Sequence, residues 1–173
     1  MPLNLLKKYP CLLDLSCLNE EERKLSLRRV FDRDITDNDC FLFRGKKIYP
    51  IKTNGIVDMD REFFHLTTYS VLGSDNVEHR VYDHFRSERL HWIKVHIDEK
   101  TGEDQIVFSV TERNQKKRVD QNRVYIYNKN QKYVVVLEPY RNNTAYFLLT
   151  AYYLNEKYSE KQMKKKLNKG VVL

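Results

Sequence analysis

The fold turns on "DNVEHRVYDHFRSERLHWIKVHI" (75–97). Asp75 can cap a helix, and Glu78 stands three residues on, the spacing of a capping box. Val77, Val81, Phe85 and Trp92, with Leu90 or Ile93 beside the last, recur at helical spacing and would form one apolar stripe. Ile93, Val95 and Ile97 alternate as a strand would. We read the whole stretch as a helix.

Four strands are expected downstream: "IVFSVTE" (106–112), "RVYIYN" (123–128), "YVVVLE" (133–138) and "AYFLLTAYYL" (145–154). Links of four to six residues join the last three, which favours an antiparallel meander. A last helix, "SEKQMKKKLNKG" (159–170), has Ser159 and Gln162 as a capping pair and Gly170 as a stop. The expected fold class is α+β, a helix packed on one face of a four-stranded antiparallel meander sheet.

Upstream, "NEEERKLSLRRVF" (19–31) reads as a helix with Asn19 as N-cap and Glu22 completing a capping box. "CFLFRGKKIYPIKT" (40–53) reads as two short strands turning at Gly45-Lys46, with Pro50 marking a strand end or an edge. "TNGIVDMDREFFHLTT" (53–68) resists assignment. The division expected is a small accessory helix-plus-hairpin segment over 1–72 and a second domain over 73–173.

The chain has 173 residues, 41% hydrophobic and 32% charged, a globular balance rather than a disordered one. No apolar run approaches the ~20 residues of a membrane span, so no membrane partner is expected. The first residues lack a cleavable-signal pattern, and Cys11, Cys17 and Cys40 are odd in number without metal-ligand spacing. Together these imply reduced thiols in a cytoplasmic protein.

The net charge of +7 is unevenly placed. Residues 1–75 carry 12 basic and 12 acidic side chains, and residues 76–173 carry 19 and 12. A basic half implies a polyanionic partner, most simply nucleic acid. A lysine-rich last helix accounts for +4 of the excess, since 156–173 hold 6 Lys and 2 Glu.

Alternation along 145–154 turns Phe147, Leu149 and Ala151 to the core and Tyr146, Leu148, Thr150 and Tyr152 outward. Grouped with Ser109, Thr111, Arg123, Tyr125 and Tyr127, these form a face of rings, cations and hydroxyls suited to RNA. The same face also fits an ordinary solvated sheet surface. The loop "RNQKKR" (113–118) adds Arg113, Lys116, Lys117 and Arg118. Of the five histidines (His65, His79, His84, His91 and His96), His84 and His91 would share a helix stripe. RNA cleavage without a metal needs a base, an acid and donors for the phosphorane, which histidine, arginine and threonine can supply. No zinc-binding or phosphate-loop motif is present, so no metal and no cofactor is expected.

"RSERLHWIKVHI", "IVFSV", "RVYIYN", "QKYVVVLEP" and "YFLLTAYYL", in that order, resemble the phage-associated branch of the barnase/EndoU/colicin/RelE-like ribonuclease superfamily. The resemblance covers about 76–170. It implies a small metal-independent ribonuclease, often a toxin, that leaves a 2′,3′-cyclic phosphate. By that resemblance the catalytic residues are His91, Arg123, Thr150 and Tyr152, with His84 competing as base and Arg86 and Arg89 as phosphate binders. RNA is the implied partner, with an acidic antitoxin or immunity protein as a second. A non-catalytic nucleic-acid-binding module is the alternative.

Overall fold

A computed structural model describes residues 3–115 and 117–173. In chain order the elements are α1 (Leu3–Leu6), α2 (Glu20–Phe31), a π-helical turn (Asp32–Thr36), β1 (Leu42–Phe43), β2 (Lys46–Pro50), β3 (Lys52–Thr53), β4 (Ile56–Val57), α3 (Met59–Thr67), β5 (Thr68–Leu72), β6 (Glu78–Tyr82), α4 (His84–Ser87), α5 (Trp92–Ile97), β7 (Gln105–Asn114), β8 (Val119–Asn128), β9 (Tyr133–Pro139), β10 (Ala145–Tyr153), α6 (Lys157–Lys169) and β11 (Val171–Val172).

The class is α+β, but the sheet is not a four-stranded meander. It has seven strands in the order β1-β2-β10-β9-β8-β7-β11 and curls into a half-barrel. The antiparallel meander β7-β8-β9-β10 is its centre. Two additions correct the expectation. β2 joins β10 in parallel, Ala145 opposite Lys47 and Leu148 opposite Pro50, and β11 returns from α6 to pair with β7. Neither pairing has a local signal: the parallel β2–β10 pair is joined by a long crossover, and the antiparallel β11–β7 pair joins strands about 60 residues apart.

The larger correction concerns 75–97, which is not one helix. Its first part is a hairpin strand, β6, paired with β5 from Thr68 opposite Tyr82 to Leu72 opposite Glu78. Asp75 caps a turn rather than a helix: its Oδ1 accepts from Val77 N at 3.0 Å, and Asn76 takes φ +58°, a left-handed conformation asparagine tolerates. Two short helices follow. Asp83 caps α4 by accepting from Arg86 N. The supposed stripe splits, with Val77, Val81 and Phe85 exposed while Leu90, Trp92, Ile93 and Ile97 enter the core.

Of the N-terminal readings, the capping box holds, while the hairpin turn moves by one residue from Gly45-Lys46, since Lys46 already belongs to β2. Asn19 and Glu22 form the reciprocal capping box of α2. The β1–β2 turn is Arg44-Gly45, both at positive φ, the geometry of a tight hairpin, and β2 ends at Pro50. Gly170 ends α6, but that helix starts at Lys157 with no side-chain cap. Gln162 instead donates to the Tyr158 hydroxyl.

Both faces of the sheet are covered. On one, Leu27, Val30, Phe31, Phe63, Trp92 and Ile97 pack on Val107, Val124, Ile126, Val135, Leu137 and Ala151. On the other, Met163 of α6 and Leu154 pack on Phe108, Tyr125, Tyr127, Val134 and Val136. The expected boundary between 72 and 73 falls at the β5–β6 turn, and side chains from both sides of it share the first core. A polar knot fastens the N-terminus: Glu103 Oε2 accepts from Tyr9 at 2.8 Å and from Asn128 at 2.9 Å. Asn128 also reaches His96 Nε2 at 3.2 Å.

Candidate functional site

The site is built at an irregularity in β10. The register against β9 shifts between Leu148 and Thr150, so one residue is extra and alternation breaks there. Leu148 and Ala151 therefore both face the larger core. Leu149 and Tyr152 pack toward the smaller one. This reverses the expected orientation of Tyr146, Phe147, Leu148 and Leu149, since Tyr146 packs on the larger core and Phe147 shares the face of Thr150. β2 pairs with β10 only as far as Leu148, and α3 and α4 lie against β10.

Three side chains from separate elements meet at this bulge. Arg86, from α4, places its Nη1 3.4 Å from Thr150 Oγ1, long for a hydrogen bond. The same nitrogen lies 3.2 Å from Thr68 O and 3.4 Å from His65 O. Arg86 Nε stands 3.1 Å from Asp83 Oδ2 but makes no hydrogen bond among the described residues. Arg80 adds a second guanidinium, donating to Thr68 Oγ1 at 2.9 Å and to Thr68 O at 2.8 Å. His65, from α3, hydrogen-bonds the backbone of Leu149. Tyr152 lies with its ring centroid 5.9 Å from the Arg86 guanidinium.

The electrostatics follow from burial beside cations. Burial, then Arg80, Arg86 and Arg61, push the His65 ring down to about 4, so it is neutral at pH 7. Burial also lowers Arg86, with Asp83 acting against it, and raises the Tyr152 hydroxyl to about 12. The cluster thus pairs a neutral imidazole with two guanidiniums, one carboxylate and the hydroxyls of Thr68, Thr150 and Tyr152. It carries a net positive charge and can receive a phosphate.

A second polar group lies on the same face. Glu112 takes Lys166 at 2.7 Å, Arg123 at 3.0 Å and the Tyr125 hydroxyl at 2.8 Å. Burial works to raise the Glu112 carboxyl, but Lys166, Tyr125 and Arg123 together hold it below its usual range. Tyr125, Val136 and Thr150 stand in one cross-strand row, which sets the two groups about 10 Å apart at ordinary strand spacing. Among the described residues, Arg123 Nε is buried without a hydrogen-bond partner.

Other expected site residues go elsewhere. His91 is 3% exposed, with Nε2 2.9 Å from Cys11 O, and burial pulls its ring down to about 4. It sits in the core away from the bulge cluster, because α5 turns this face inward. His84 is on the surface, 3.1 Å from Glu88, and shares no helix with His91. Arg89 is buried, paired with Glu88 and stacked 4.0 Å from the centroid of the Tyr153 ring, so its charge is already engaged. Tyr125 and Tyr127 are covered by α6 at 1% and 2% exposure and present no open ring to a base.

Ser109 and Thr111 do not share a face with Arg123, because Val110 is the residue opposite Arg123. Arg113, Lys117 and Arg118 lie at the exposed tip of the β7–β8 hairpin, Arg113 being tied to Asp120 at 3.1 Å. That tip is five residues beyond the Phe108–Tyr125 row, roughly 17 Å at strand rise. Lys116 lies outside the described residues.

Of the residues singled out from sequence, Thr150, Tyr152 and Arg86 come together, and Arg123 stands nearby on the same face. His65 and Arg80 were missed. His65 sits in the stretch that had no assignment, and only an α3 placement puts it against β10. Among the described residues, no group of three His, Cys, Asp or Glu side chains is placed to hold a metal, and no helix is long and apolar enough to cross a membrane. Comparison with known proteins returns no family model, no curated protein and no solved structure that matches this chain.

Proposed function

We propose that this chain is an endoribonuclease that cleaves by attack of a 2′-hydroxyl on the adjacent phosphate. The observation that supports this most is the meeting of His65, Arg86 and Thr150 at the β10 bulge. Neutral His65 takes the 2′-hydroxyl proton as the 2′-oxygen bonds phosphorus. Arg86 and Thr150 donate to the non-bridging oxygens, where charge builds in the phosphorane. The bond to the 5′-oxygen then breaks, and Tyr152, protonated at neutral pH, supplies the proton that oxygen needs. The products are a 2′,3′-cyclic phosphate and a free 5′-hydroxyl. Arg123 acts at longer range, its charge shared with Glu112.

The test uses total RNA and tRNA in excess EDTA, with wild type beside Thr150→Ala. Wild type should leave 2′,3′-cyclic ends, and Thr150→Ala should cut about 10- to 100-fold more slowly, since one lost donor to a developing oxyanion costs up to about 10²–10³. RNA that is bound in a salt-sensitive way but left intact by wild type would sink the nuclease reading. It would favour a binding module, for which Glu112 provides an observation: its carboxylate is fully engaged by Lys166, Arg123 and Tyr125.

A further inference from the structure

Three aromatic rings cluster on the β2–β10–β9 side of the sheet. Tyr140 lies on Phe147 with centroids 4.2 Å apart and planes 19° from parallel. Tyr49 stands 5.8 Å from Tyr140. All three are half-buried, and none belongs to either hydrophobic core. Register places Tyr49 opposite Phe147, and Phe147 opposite Glu138. Phe147 was expected in the core from alternation. The bulge instead puts it on the face that also carries Thr150.

Lysines lie over two of these rings. Lys47 Nζ lies 5.4 Å from the Tyr49 centroid and Lys52 Nζ 6.0 Å from that of Tyr140. Both lysines are exposed, as is Arg141, next to Tyr140. The nearby carboxylate, Glu138, accepts from Gln121 at 3.3 Å and lies on the side of Phe147 away from β2. Half-buried rings with lysines over them suit sequence-tolerant single-strand binding, in which a base takes the ring face and the displaced lysine takes the phosphate. The orientation matches the proposed chemistry. Across the bulge Phe147 and Thr150 stand opposite Glu138 and Val136, two residues apart on β9 and so roughly 7 Å, which lets a base on this cluster and a phosphate at the bulge belong to neighbouring nucleotides.

We infer that Tyr49, Tyr140 and Phe147 form a base-stacking platform that makes unpaired RNA the substrate of the site at the β10 bulge. The inference rests on the ribonuclease reading and extends it to substrate class. A paired stretch hides its base faces and cannot use the platform.

The probe is a fluorescein-labelled 12-nucleotide RNA with every 2′-hydroxyl methylated, which lacks the attacking group and so binds without being cut. Its affinity is measured by anisotropy, alone and annealed to its complement. Tyr140→Leu keeps apolar bulk and removes the stacking face, Tyr140→Trp keeps a face, and thermal unfolding of both checks the fold. Single strand should bind at least about fivefold tighter than duplex to the wild type. Tyr140→Leu should lose about fivefold or more, and Tyr140→Trp should not. Wild-type affinity in Tyr140→Leu, or equal binding of duplex, overturns the platform. If wild type still cleaves RNA in that case, the ribonuclease reading stands without it. A wild type that neither binds the probe nor cuts RNA removes both.

Discussion

His65→Gln is expected to slow RNA cleavage by about 10²–10⁴-fold, the usual contribution of a general base, while RNA affinity changes little. Glutamine can still hydrogen-bond the Leu149 backbone but cannot take a proton. The loss should therefore fall on kcat rather than KM. Wild-type kcat/KM, which reports the free enzyme, should stay nearly flat between about pH 6 and 8, because a ring held near 4 is already deprotonated there. A base with an ordinary histidine value would lose activity toward pH 6. Bound phosphate supplies the missing counter-charge to Arg80 and Arg86, which makes the ring a stronger base where it is used. Equal kcat for His65→Gln and wild type would remove His65 from the chemistry.

The second large effect is on stability. Glu62 is 2% exposed. Its Oε2 accepts from Ile51 N at 3.2 Å, while Oε1 has no hydrogen-bond partner among the described residues. Burial, opposed by the Ile51 hydrogen bond and Arg61, raises its carboxyl to about 8. A folded value above the unfolded one gives stability that is complete below the unfolded value and lost as pH rises through about 8. The difference corresponds to about 5 kcal/mol at most. His91 and His96 act oppositely. Burial lowers each to about 4, so the stability they contribute is present above about 6.5 and lost as pH falls through 4, about 3 kcal/mol each.

Of these three groups, the two histidines outweigh the glutamate below pH 6.5 and the glutamate alone acts above it, so their combined contribution to stability should peak near pH 6.5. Urea unfolding of Glu62→Gln should match wild type near pH 5 and exceed it by several kcal/mol at pH 9. A constant difference across that range would show that Glu62 titrates normally.

How far the sequence reveals this molecule depends on how local each signal is. The capping box at Asn19 and Glu22 involves residues three apart and was legible, as were the Gly45 turn and the four meander strands, whose links are short. The stretch 75–97 was misread because Val77, Val81 and Phe85 mimic a helix stripe but face water. An Asp-Asn turn decided its conformation instead. The second core was also hidden, since Tyr125 and Tyr127 look like open rings until α6 is laid over them. Thr150 and Arg86 were legible as types suited to phosphate. Their meeting required a bulge, which shifts every residue after it and leaves no mark in the alternation before it. His65 and the Tyr49–Tyr140–Phe147 cluster depend on contacts across 84 to 98 residues and could come only from the fold.

The central claim is that a phosphate occupies the bulge between Arg86, Thr150 and His65. It is tested most directly by nuclear magnetic resonance of the histidine rings during titration with a nucleoside 3′-monophosphate. The account predicts that the His65 resonances move on binding and that its pKa rises from about 4, because the added anion offsets the flanking guanidiniums, while the buried His91 and His96 do not respond. A protein that cuts RNA yet leaves His65 unmoved at saturating nucleotide would place the chemistry elsewhere on the sheet.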